Sequence, residues 1–130
     1  MMGIVWLEKR ALLILHDQTI MKHGGSRGMR DEGLLESALA RAQNILVYRE
    51  NVSLAELAAS YAFGIAKNHP FVDGNKRAAF AALGAFLKAN GWDLTATKVD
   101  ATLTFLKLAA SEITEEELAV WIEGHLAKRV

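Results

Sequence analysis

The sequence predicts an all-α fold, a compact bundle of about six helices forming a single domain over residues 1–130, and three observations support this. Apolar residues recur at helical rather than strand spacing through most of the chain. Good N-cap residues stand directly ahead of those periodic segments. The composition is globular, with 52% hydrophobic residues and Pro70 as the only proline, so disorder is not expected. The length suits one hydrophobic core and is too short for two.

The first helix is predicted from Leu7 to His23, where apolar residues at 7, 11, 12, 14, 15 and 20 make a broad stripe and Gly24-Gly25 supplies the C-cap. A glycine-rich loop, GGSRGMRDEG, follows, with Asp31 placed to cap a second helix over EGLLESALARAQNIL. Residues 47–52, VYRENV, are the least helical part of the interior; composition leaves both an extended flap and a simple connection open. Ser53 and Glu56 form a capping box for a third helix, LAELAASYAFGIAKN, which should stop near Asn68 because the residue before Pro70 is pushed out of the helical region.

A fourth helix is predicted over NKRAAFAALGAFLKAN, ending at Gly91; its many small residues imply close packing on most sides and hence a central position. WDLTAT is a brief extended passage. Thr97 caps KVDATLTFLKLAA, and Thr114 with Glu117 makes a second capping box for a last helix over EEELAVWIEGHLAKR. The tryptophans and Phe63, Phe80, Phe86 and Phe105 fall at core-like spacing. His16 and His23, seven residues apart, do not form the i, i+4 pair of a helical zinc site, and a structural or solvated role is expected for both.

Fifteen basic residues balance fifteen acidic ones, so the chain lacks the basic field of a general nucleic-acid binder, and no direct DNA binding is expected. The absence of cysteine removes disulfides, thiolate metal sites and thiol nucleophiles. Glu8, Lys9 and Arg10 interrupt the apolar N-terminal stretch, and no run approaches the ~20 apolar residues of a membrane span. A cytoplasmic protein without membrane contact is the expectation.

The chemistry concentrates in NHPFVDGNKRAAF, residues 68–80. Its simplest reading is a helix end, a turn built from Pro70, Asp73 and Gly74, and a new helix starting at Asn75. The start of a helix, however, exposes unpaired N–H groups and the positive end of the dipole. Gly74, Asn75, Lys76 and Arg77 therefore bring backbone donors and two cations to one small volume, which suits phosphate. Asp73 would oppose an anion unless a divalent cation such as Mg²⁺ lay between them. His69 is near enough in sequence to take a proton from an incoming hydroxyl. Arg27 and Arg30, in the glycine-rich loop, are candidate phosphate or target contacts, with plain surface solvation as the alternative.

The stretch His69-Pro70-Phe71-Val72-Asp73-Gly74-Asn75-Lys76-Arg77 resembles the signature of the Fic/Doc superfamily, whose Fic branch reads H-P-F-x-[D/E]-G-N-G-R-x-x-R. Two departures matter: Lys76 replaces a glycine and Phe80 replaces the second arginine. The N-K-R form is similar to the Doc (death on curing) branch, and the upstream block LHDQTIMKHGGSRGMRDEGLLESALARAQ resembles the first half of Doc-type proteins.

The resemblance implies an all-α fold and the toxin of a type II toxin–antitoxin system. Such a toxin is a protein kinase that transfers the γ-phosphate of ATP to a threonine of elongation factor Tu and arrests translation. It implies His69 as base, Asp73 as Mg²⁺ ligand, and Gly74, Asn75, Lys76 and Arg77 as the phosphate site, with Lys76 also serving catalysis. A Phd-type antitoxin would be the partner, seated on an exposed apolar groove. The [S/T]-x-x-x-E-[G/N] pattern of self-inhibited Fic proteins is absent from the sequence. The rival readings are a Fic-type AMP transferase acting on a protein hydroxyl and a catalytically inactive Fic-fold binding module.

Overall fold

The computed structural model describes residues 3–130. The described residues form six helices and one small sheet, in the order α1 (Lys9–His23), α2 (Glu32–Tyr48), α3 (Leu54–Asn68), α4 (Asn75–Ala89), β1 (Trp92–Leu94), α5 (Lys98–Ala109), α6 (Glu115–Glu123) and β2 (Leu126–Lys128). The all-α expectation is borne out, and the caps are where the sequence puts them. Asp31 accepts from the Leu34 N–H, Thr97 accepts from the Asp100 N–H, and Ser53/Glu56 and Thr114/Glu117 form complete capping boxes. None of the helices is long and apolar enough to cross a membrane.

The centre of the bundle is α3, not α4. Ten of its fifteen residues are buried, including Leu57, Tyr61 and Ile65, and it packs on α2, α4 and α6. The small residues of α4 serve a more limited purpose, letting Ala78, Ala79 and Ala82 close on α3 while the other side of α4 meets α1 and β1. Gly64 shows how close α2 approaches α3: a Cβ there would lie 3.2 Å from the Ala38 backbone.

Two boundaries differ from expectation. Helix α1 starts at Lys9, because the preceding segment is an extended strap: Asn90 accepts from the Val5 N–H and donates to the Val5 carbonyl, at 2.8 and 2.9 Å, and Tyr61 Oη accepts from Leu7 N–H at 3.1 Å. The last helix ends at Glu123 rather than running on through Arg129. Residues 126–128 instead form β2, antiparallel to β1, with Trp92 opposite Lys128 and Leu94 opposite Leu126. Gly124 weakens the helix there, and β1 presents an edge of unpaired backbone groups that pairing satisfies. The Arg129 N–H to Gly91 carbonyl bond, 2.9 Å, continues the pairing beyond β2.

The segment 47–52 resolves as a connection. Val47 and Tyr48 complete α2, Arg49 pairs with Glu56 at 2.7 Å, and Val52 is buried. No strand forms there. Phe80 is also not a core residue: it is 39% exposed and meets Phe105 of α5 edge-on, with centroids 5.2 Å apart.

Candidate active site

The α3–α4 connection is built as a rigid turn. His69 closes α3 in the left-handed region (φ 49°, ψ 55°), its N–H bonded to the Ile65 carbonyl, and Pro70 then prevents the helix from continuing. A non-glycine residue in this region, and before a proline, holds a conformation that costs on the order of 1–3 kcal/mol. Arg30 offsets that cost: its Nε donates to the His69 carbonyl at 2.6 Å and its Nη2 to the Asn68 carbonyl at 2.7 Å.

The glycine-rich loop then lines up beside the turn. Arg30 and Asp31 N–H groups both donate to the Pro70 carbonyl, the Val72 N–H donates to the Gly28 carbonyl, and Met29 and Phe71 form an isolated antiparallel bridge. Phe71 is buried, and the Asn75 side chain closes the turn by accepting from the Phe71 N–H and donating to the Phe71 carbonyl, both at 2.9 Å. Asn75 therefore uses its side chain to shape the loop. What it offers an anion is its backbone N–H.

Gly74 is the N-cap of α4, left-handed at φ 76°, and no side chain caps the helix. The N–H groups of Asn75, Lys76 and Arg77 thus lack intrahelical partners. With His69, Val72, Asp73 and Gly74 these residues line one open cleft of about 380 Å³. Lys76 and Arg77 are exposed, and among the described residues no carboxylate lies within ion-pair distance of either. The charge of Arg77 reaches further. His23, at the end of α1, is held below the ordinary histidine value by desolvation and then by the charges of Arg77, Lys22 and Lys98.

Asp73 is oriented by two backbone donors: its Oδ2 accepts from the Ser26 N–H at 3.2 Å and its Oδ1 from the Gly74 N–H at 2.8 Å. These bonds, Ser26 first, hold its carboxyl below the usual carboxylate range, with smaller help from Arg77 and His16. A carboxylate with a lowered pKa beside unpaired helix-start amides and two cations has the donor chemistry for Mg²⁺, which binds through one or two carboxylates and completes its shell with phosphate oxygens and water. No group of three or more acidic or histidine side chains placed to hold a metal occurs among the described residues.

The six residues expected at the site from the motif therefore share one cleft. The two loop arginines do not line it: Arg27 Nε lies 3.5 Å from Asp17 of α1, and Arg30 is turned to the end of α3. The structure also brings in residues that the sequence reading treats as structural or passes over. Ser26 supplies a donor to Asp73, His16 reaches the Asp73 backbone, and Gly25, read only as a C-cap, lies so close that a Cβ there would be 2.7 Å from Asp73 Oδ2. The second glycine of the Gly24-Gly25 pair was the available signal, since one glycine is enough to end a helix.

A family model described as the Fic/DOC family matches residues 6–87. The chain is 36% identical over 108 residues to "Protein kinase doc" of Escherichia phage P1, an alignment covering 83% of this chain and 85% of the phage protein. It is 45% identical over 75 residues to "Toxin Doc" of Mycolicibacterium smegmatis, covering 56% of this chain and 57% of that protein.

Proposed function

Because the chain belongs to the Fic/DOC family, we propose that it is the toxin of a toxin–antitoxin pair and a protein kinase that moves the γ-phosphate of ATP to a hydroxyl of a target protein. The observation that carries this reading is the cleft at the start of α4, where the uncapped amides, Lys76 and Arg77 meet Asp73 and His69. The names of the two relatives, a protein kinase and a toxin, support it.

In the proposed reaction His69 takes the proton of the target hydroxyl as its oxygen attacks the γ-phosphorus. The bond from that phosphorus to the bridging oxygen breaks, the phosphoryl group passes to the hydroxyl oxygen, and ADP leaves with the bonding electrons. Lys76, Arg77 and the α4 amides balance the negative charge on the phosphates and fix their position, which is most of what phosphoryl transfer requires. Asp73 is the residue that would hold Mg²⁺, whose charge when bound neutralises phosphate oxygens. The departures from the Fic signature favour phosphate over AMP transfer: Lys76 fills space a glycine would leave for the nucleotide, and Phe80 faces α5 and offers no charge.

The Doc resemblance extends the proposal to a threonine of elongation factor Tu as target, a Phd-type antitoxin as partner and the cytoplasm as location. Val99, Leu103 and Leu106 form an exposed apolar stripe at i, i+4 and i+7 on α5, and this is the proposed seat for an antitoxin helix.

ATP labelled at either the α or the γ phosphate, incubated with the protein, Mg²⁺ and elongation factor Tu, tests the reaction. Label on protein from the γ position alone is the expected result. Transfer of α label would establish AMP transfer instead, and transfer of neither would leave a binding module.

A further inference from the structure

His16 lies on α1, fifty-seven residues from Asp73 in sequence, and is buried at 5% exposure. Its ring stacks flat on Phe71, with centroids 3.7 Å apart and planes 5° from parallel. Its Nε2 lies 2.8 Å from the Asp73 carbonyl oxygen. A carbonyl only accepts, so Nε2 carries the proton and donates. The ring edge also lies against Gly74, whose Cα would place a Cβ 3.6 Å from Nε2.

The peptide between Asp73 and Gly74 is planar, so its carbonyl and N–H point in opposite directions and turn together. The Gly74 N–H is bonded to Asp73 Oδ1. A peptide that precedes glycine is free to flip, since glycine accepts either sign of φ. His16 opposes that flip from one end of the plane and the Asp73 carboxylate from the other. A flip would break both bonds, leave the carboxylate held by the Ser26 N–H alone and redirect the backbone entering α4. We propose that His16 is a positioning residue for the transfer reaction, locking the Asp73–Gly74 peptide so that the Asp73 carboxylate and the first amides of α4 face the cleft. The catalytic part of this proposal rests on the phosphotransfer reading; the peptide lock does not.

The Gly74 amide, observed by nuclear magnetic resonance in labelled protein without ATP, reads the lock directly. His16→Phe keeps a flat ring on Phe71 and removes the donor, whereas His16→Gln places a donor nitrogen near the position of Nε2. In the phenylalanine variant the Gly74 amide is expected to exchange with solvent faster by about two- to tenfold, the factor that losing one ordinary hydrogen bond supplies. Core amides of α3 and α4 should keep their rates. The glutamine variant is expected to restore the Gly74 rate, and in the transfer assay to restore the Mg²⁺ concentration for half-maximal rate, which the phenylalanine variant should raise. Unchanged Gly74 exchange in His16→Phe, or glutamine behaving like phenylalanine, would overturn the proposal. Should the phenylalanine variant not fold, His16→Asn, too short to reach the carbonyl, takes its place with the same deciding outcome. Because the amide is read without nucleotide, it decides the lock whatever the labelled-ATP experiment returns.

Discussion

Substituting Gly25 by alanine should separate stability from activity. Gly25 has φ +118°, where an L-residue is strained, and its added Cβ would sit 2.7 Å from Asp73 Oδ2. Ordinary contact begins at 3.4 Å, so the oxygen must retreat by about 0.7 Å. The oxygen ends a side chain that can rotate, so the clash itself adds little to the unfolding balance, but the rotation breaks the bond from the Ser26 N–H and moves the carboxylate. A misplacement on the order of 1 Å at a reacting centre costs about 10²-fold, so γ-phosphate transfer at fixed Mg²⁺ should fall by about 10- to 100-fold. Gly24→Ala is the matched control. Gly24 also has positive φ, +81°, but a Cβ there meets nothing within 4 Å. Both variants should lose about 1–3 kcal/mol to backbone strain, a fall of roughly 3–5 °C in melting temperature per kcal/mol. Only Gly25→Ala should lose transfer. Equal transfer rates in the two variants would refute the argument that Gly25 makes room for Asp73.

His69→Ala should lower γ-phosphate transfer by about 10²- to 10⁴-fold, the usual worth of a general base, and leave the far-ultraviolet circular dichroism unchanged, because the imidazole is exposed and makes no hydrogen bond among the described residues. Arg30→Ala removes two charge-assisted bonds to the end of α3 and should cost about 1–3 kcal/mol in denaturant unfolding; full stability with weakened ATP binding would instead mark Arg30 as a phosphate contact. The Asp73 carboxyl titrates below its unfolded value, so the stability it contributes is present above that unfolded value and lost as pH falls through the folded one. The melting-temperature gap between the native protein and Asp73→Asn should therefore be widest near pH 7 and narrow as pH drops below about 5, and a constant gap in calorimetry would contradict this. Leu103→Asp, on the exposed stripe of α5, should keep transfer intact while cells expressing it escape rescue by the antitoxin; undiminished rescue would place the antitoxin elsewhere.

Much of the molecule is legible in the sequence, because its signals are local. Ser53 with Glu56, and Thr114 with Glu117, cap helices through bonds spanning three residues. His69, Asp73 and the residues from Gly74 to Arg77 lie close in sequence, so the turn that exposes the start of α4 also gathers them. The failures occur where a distant partner outweighs a local preference. The helical periodicity after Glu123 yields to β2 because β1, more than thirty residues earlier, offers an unpaired edge. Phe80 looks like a core residue by spacing, yet it faces α5 on the surface.

By itself, the sequence determined six helices, the caps at Asp31, Ser53, Thr97 and Thr114, and a turn that gathers a histidine, a carboxylate and two cations at the start of α4. Each of these depends on residues within about one helical turn, where propensity and hydrogen-bond geometry act directly. Only the tertiary structure decided how that turn is held. Arg30 is committed to the end of α3, the glycine-rich loop pairs with Pro70 and Val72, Ser26 and Gly25 frame Asp73, and His16 reaches the Asp73 carbonyl from α1. These contacts join segments about forty to sixty residues apart, and no pattern along the chain encodes a distance across the core.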